Sequence, residues 1–262
     1  MDNNKTINTV FNAELPASMD NAVKNLTDKP TLSIGTTFSD LWDLVFSGIS
    51  YLSEKKKIEY AHKLNLYRKE LEESIKQIPP EKLVEPSIQV TAQALENSKY
   101  CVDDDELRRM FTALISNSMN TDFSINIHPS FAEMIKQMSP LDAKIIALFK
   151  AEPSPGLPAC QYHVTIPGDI SSPAIPEHIF LEIPEGAISP NSMSLVSLSR
   201  FGLISISYLE HLRDETIYEK FFTHQFYKDL ENYWSIGKIS IQKGIVSLTP
   251  LGRSFVKVCI PD

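Results

Sequence analysis

The sequence predicts a mainly α-helical protein with a small β component, in which a helical N-terminal region is followed by a winged-helix-like C-terminal domain. Three observations carry that expectation. Apolar residues recur at three- and four-residue spacing from Phe38 to Ile78 and again from Leu107 to Ile115, as one face of a helix requires. The run Leu195-Val196-Ser197-Leu198-Ser199-Arg200-Phe201-Gly202-Leu203-Ile204 reads as a helix stopped at a glycine and followed by a strand. Near the C-terminus, Ile245-Val246-Ser247-Leu248-Thr249-Pro250 reads as a strand running into a freshly capped helix.

Residues 1–30 are rich in Asn, Asp, Thr and Ser with no apolar period, so they read as a flexible N-terminal arm. A helical domain is expected over 31–127, built around one long helix that Pro79-Pro80 ends. A helix of about 40 residues would extend roughly 60 Å, and its uncovered face would call for a second chain. Homo-oligomerisation, or a protein partner, is expected on that ground. After Pro86 a shorter helix carries Ile88, Ala92 and Leu95. Asp103 and Glu106 then have capping-box spacing at the head of an amphipathic helix with Leu107, Met110, Phe111, Leu114 and Ile115 inward.

The winged-helix-like domain is expected over 128–262. Pro129 opens a short helix with Phe131 and Ile135, and Ser139-Pro140-Leu141-Asp142 caps the next. Eight of the seventeen prolines fall in 151–190, which reads as an insertion with only short edge pieces such as His163–Ile166 and Ile179–Ile183. The helix from Ser192 to Phe201 is expected to bury Leu195, Val196, Leu198 and Phe201. An aromatic helix over 216–234 turns Ile217, Phe221 and Leu230 inward. Lys238–Gln242 and Ile245–Leu248 are then expected to fold back on each other through a tight turn at Lys243-Gly244.

Composition bounds the function. The chain of 262 residues has a formal net charge of −8, so its overall field repels polyanions. Cys101, Cys160 and Cys259 are far apart and odd in number, reading as reduced thiols of a cytoplasmic protein. The N-terminus lacks an apolar leader, and no stretch is long and apolar enough for a transmembrane span. Neither phosphate-cradling glycine motif occurs, and the six histidines never pair at metal-ligand spacing, so no cofactor and no metal are expected. Cys160 and His163 are near neighbours in sequence, but three-residue spacing inside a proline-rich stretch is weak evidence for a nucleophile and its base.

Two non-catalytic surfaces stand out. Over 38–52 a broad apolar arc contains Trp42 and Phe46, with Lys55, Lys56 and Lys57 just downstream; these are the candidate residues for docking to a partner or a membrane. A winged helix also invites DNA, for which Arg200, Lys238, Lys243 and Arg253 are the candidate contacts. That is a modest basic set for an acidic chain, so nucleic acid is the less favoured partner.

Several segments together resemble one known family. They are Ile78-Pro79-Pro80-Glu81-Lys82, Asp103 through Ile115, Ile127-His128-Pro129-Ser130-Phe131, Met138-Ser139-Pro140-Leu141-Asp142-Ala143, Leu198 to Ile204 and Leu248 to Gly252. In their order they are similar to the abortive infection alpha family of bacterial phage-resistance proteins, over about 38–260. The resemblance implies phage defence, halting growth of an infected cell, and brings no catalytic motif with it. The expected function is therefore a non-enzymatic defence protein working through protein contacts. A winged-helix DNA-binding regulator and a membrane-active effector acting through 38–52 are the alternatives.

Overall fold

The structure, a computed structural model, describes residues 38, 40–46, 54–151, 156–168, 174–183, 187–234 and 237–261, with backbone alone for 54–58 and 151. The arm expected at 1–30 lies outside the described residues. The chain divides into two compact units, Met1–Pro140 with Lys257–Asp262, and Leu141–Val256.

The first unit is helical. Residues 40–46 form α1, followed by α2 (Glu54–Lys76), α3 (Ile88–Ser98), α4 (Asp105–Ser118), α5 (Thr121–Ser124) and α6 (Phe131–Gln137). Helix α4 is its centre and packs against α2, α3, α5 and α6. The inward residues follow helical spacing, with Phe111, Leu114 and Ile115 on α4 meeting a core that includes Tyr67, Leu71, Leu95, Phe131 and Ile135, all fully buried. Phe131 and Ile135 join this core, so α6 falls in the first unit, and the second begins at Leu141 rather than at the expected 128. The cap of α4 is one residue later than expected: Asp104, not Asp103, accepts the Leu107 amide at 2.9 Å.

The expected single helix of about 40 residues is not formed. In one straight helix Trp42 and Tyr67 would be about 37 Å apart. Their ring centroids are 5.6 Å apart, and Phe46 meets the same tyrosine at 6.4 Å, so α1 folds back onto α2. Helix α2 has 23 residues. The uncovered face of about 40 residues that would call for a second chain is therefore not formed.

The second unit is built on an antiparallel sheet of β1 (Leu157–Thr165), β2 (Ile204–Ser207) and β3 (Lys238–Leu248), in the order β1-β3-β2. Its helices are α7 (Pro140–Ala151), α8 (Ile188–Arg200), α9 (Glu219–Thr223), α10 (Gln225–Tyr233) and α11 (Pro250–Cys259). Helix α8 ends as read from the sequence, with Gly202 at φ +71°, where a side chain would be strained. Thr249 caps α11 by accepting the Gly252 amide at 2.9 Å.

The wing, however, differs. Lys243-Gly244 is no turn, because β3 runs unbroken through it, pairing Lys243 with Cys160 and Gly244 with Ala159. Gly244 is required for a different reason: a Cβ there would lie 2.5 Å from the Tyr208 ring and 2.6 Å from the Ser207 carbonyl oxygen. The link from β2 to β3 is helical as expected, but the single helix expected over 216–234 is broken. A 3₁₀ turn (Glu215–Tyr218) and α9 precede α10, and extended His224 (ψ 143°) separates the two helices, its Nδ1 accepting the Phe226 amide.

The proline-rich stretch also holds more structure than expected. Strand β1 spans nine residues and tolerates Pro158 because it is an edge strand of the ladder. Side chains alternate across it, so Cys160, Tyr162 and Val164 share a face with Ile239 and Ile241. Tyr218 and Phe221 bury that face, with Phe226, Tyr227, Leu230 and Trp234 packed around them. On the opposite face Leu157, Ala159, Val246 and Ile204 are buried as well. A sheet covered on both sides is why adjacent Ile245 and Val246 of β3, which point to opposite faces, are both buried.

Candidate functional site

The four candidate DNA contacts do not form one cationic surface. Lys243 is paired with Glu215 and sits over the Tyr218 ring at 5.4 Å, so its charge is spent within the fold. Lys238 is exposed, but it lies five residues earlier on an unbroken strand and therefore on the opposite sheet face. Arg253 turns back to donate to the Leu248 carbonyl at 3.1 Å. Arg200 is exposed at the C-terminal end of α8, its guanidinium 4.9 Å from the Phe201 ring centroid, where it also complements the helix dipole. A phosphate backbone needs several free cations in a row, and these residues do not supply it.

The candidate docking residues Trp42 and Phe46 belong to the core, at 6% and 4% exposure. Their rings are 4.5 Å apart, and both pack on Tyr67. Of the apolar arc, Trp42 and Phe46 thus face α2, whereas Leu44 is 77% exposed. Lys55, Lys56 and Lys57 fall in the first turn of α2, and their side chains lie outside the described residues. Among the described residues no helix is long and apolar enough to cross a membrane.

Cys160 and His163 are parted by strand alternation, which sends their side chains to opposite faces of β1. Cys160 is fully buried, and that burial pushes its thiol well above the ordinary range, so the nucleophilic thiolate is disfavoured. His163 instead contacts Gln242 at 2.9 Å. Cys101 is likewise raised by burial, to about 11. Among the described residues no three His, Cys, Asp or Glu side chains are grouped to hold a metal.

The polar groups inside the second unit form a structural layer. Tyr162 donates to the Phe221 carbonyl at 2.7 Å, and Tyr218 donates to the Gly244 carbonyl at 2.8 Å while accepting the Leu212 amide. His178 Nδ1 is 2.6 Å from the Tyr208 hydroxyl, with the two rings stacked, and burial lowers the histidine's pKa. Each hydroxyl is satisfied, as burial demands. These bonds tie the loop after β2 and the helical link to the sheet.

The surface that sequence reasoning missed is the outer face of α8. Leu195 and Leu198 are fully buried as expected, but Val196 is 52% exposed and Met193 69%. With Ser189 and Arg200 they stand at positions i, i+4, i+7 and i+11, so they form one stripe along the helix. It carries two large apolar side chains, one cation and no acid. The signal is present in the spacing, since Met193 and Val196 sit off the Leu195–Leu198 arc, but hydrophobicity alone puts Val196 on the buried face.

Neither the curated proteins nor the solved structures contain a significant match to this sequence. The family model described as abortive infection alpha does match it, over residues 59–259, a span that takes in both structural units from α2 to the end of α11. The chain therefore belongs to the abortive infection alpha family.

Proposed function

We propose that this protein acts in abortive infection, a form of phage defence, through protein–protein contacts and without catalysing a reaction, and that the outer stripe of α8 is its contact surface. Family membership supports the first part. The single observation that carries the second is the make-up of that stripe. Its Met193 and Val196 offer desolvation energy and adaptable packing to another protein, whereas a DNA-reading helix would present donors and cations. The neutralised Lys243, the place of Lys238 on the opposite sheet face and the turn of Arg253 back to the Leu248 carbonyl favour the same reading over a regulator. Burial of Trp42 and Phe46 weighs against membrane action through 38–52. Three buried, unpaired cysteines agree with a cytoplasmic, reducing location.

The test is phage plating on cells expressing Met193→Glu/Val196→Glu beside Lys238→Glu/Arg253→Glu. The reading expects the α8 pair to abolish protection at unchanged protein level, and the basic pair to leave it. Loss of protection only in the basic pair, together with duplex-DNA binding that collapses as salt rises, would replace this reading with the regulator.

A further inference from the structure

Two arginines of the first unit are buried, and the chain treats them differently. Arg108, 2% exposed, uses its side-on edge fully: Nε donates to Glu70 Oε2 at 3.0 Å and Nη2 to Glu70 Oε1 at 3.1 Å. Its remaining Nη1 reaches Asp105 at 2.7 Å and the Val102 carbonyl at 3.1 Å. This is the two-pronged geometry in which a guanidinium holds a single carboxylate.

Arg68, two residues before Glu70 on α2, is 9% exposed, and the same two donors, Nε and Nη2, are buried with no hydrogen-bond partner. Glu72 lies one turn on and is equally buried, yet it does not fill them. Trp42 has the guanidinium carbon over its ring at 5.6 Å, a contact that supplies no hydrogen-bond acceptor to Nε or Nη2. Glu72 and Asp43 give the cation coulombic support, but neither accepts from Nε or Nη2, and native folds rarely leave two buried donors of one group empty.

We propose that the side-on edge of Arg68 is a carboxylate-binding site, filled in the mode that Glu70 adopts on Arg108. Entry requires the Trp42 ring to shift, so occupancy is coupled to the seating of α1 on α2. The carboxylate comes either from a small organic acid or from an acidic side chain of another protein, and both present the same two oxygens. This site is separate from the α8 stripe and stands or falls independently of it.

Trp42 and Trp234 are the chain's two tryptophans, so Trp234→Phe makes emission a report on Trp42 alone. In that background the full-length protein is titrated with sodium acetate, with a short capped peptide bearing one glutamate, and with sodium chloride at matched ionic strength. A saturable change with acetate identifies a small-acid site, and one with the peptide alone identifies a protein-borne carboxylate. Either must weaken at least about tenfold in Arg68→Lys, which keeps the charge but loses the planar fork, and vanish in Arg68→Met. An unaltered response in Arg68→Lys and Arg68→Met, or no response to either carboxylate beyond that to chloride, overturns the proposal.

Discussion

Replacing Gly244 by alanine tests the central strand of the second unit at its tightest point. The added methyl would sit 2.5 Å from the Tyr208 ring and 2.6 Å from the Ser207 carbonyl oxygen, both well inside contact distance. The side chain can yield, but the carbonyl belongs to the neighbouring strand. Overpacking of this kind costs up to about 3 kcal/mol. Against it, alanine restricts the unfolded chain and returns about 0.7 kcal/mol. The net loss expected is about 2 kcal/mol, or a fall in Tm of about 4–8 °C for a chain of this size. The diagnostic is a double-mutant cycle with Tyr208→Ala, read by thermal and denaturant melts. Tyr208→Ala also removes the 2.6 Å bond to His178, but it does so in both backgrounds and cancels from the cycle. Coupling of about 1 kcal/mol, with Gly244→Ala less harmful once the ring is gone, is the expected result. Were Lys243-Gly244 a two-residue turn, the cost would come from backbone conformation, and the two effects would add within about 0.5 kcal/mol. Additivity would refute the continuous strand.

Phe221→Ala should cost about 3–5 kcal/mol in urea melts, because its ring is wholly buried between the helical link and the sheet. Asp104→Ala should cost about 1 kcal/mol, while Asp103→Ala should be near neutral, since only Asp104 caps α4 in the structure. His178 should make stability pH-dependent. Burial lowers its pKa in the folded state below the unfolded value of about 6.5, so the unfolded chain binds the extra proton. Its contribution is complete above about pH 6.5 and falls away as pH drops through that value towards the folded pKa. The difference in Tm between wild type and His178→Gln should therefore narrow on acidification, and a difference constant with pH would contradict it. Met193→Glu/Val196→Glu should leave Tm unchanged within about 0.5 kcal/mol of stability, as expected for surface positions.

Helices with one buried face were legible in sequence because their signal is local. Leu107 to Ile115 and the stop at Gly202 follow from spacing and capping alone. What escaped was decided by distant partners. Nothing near Trp42 states that Tyr67 will return to meet it, so a continuous helical period over 38–78 concealed a fold-back. Lys243-Gly244 has turn chemistry, yet Tyr208 packs where the glycine lacks a side chain and the strand goes straight on. The long β1 was hidden by the surrounding prolines and by Pro158 within it, which an edge strand accommodates. At the candidate surface, hydrophobicity alone puts Val196 inside, whereas the burial of Leu195 and Leu198 on one side of the helix leaves it outside. The basic residues were legible as a set, but only the fold reveals that Glu215 neutralises Lys243 and that Lys238 stands on the sheet face opposite to it.

Cross-linking from α8 during infection tests the contact surface most directly. A photoreactive amino acid is placed at Val196 in one strain and at Lys238 in another, each expressed at a level that preserves protection, and both are irradiated before and after phage addition. Val196 should yield a discrete protein adduct that appears on infection and disappears in the Arg200→Glu background, with no such adduct from Lys238. A nucleic-acid adduct from either position, or no adduct from Val196 while cells remain protected, would contradict a protein contact made by this helix.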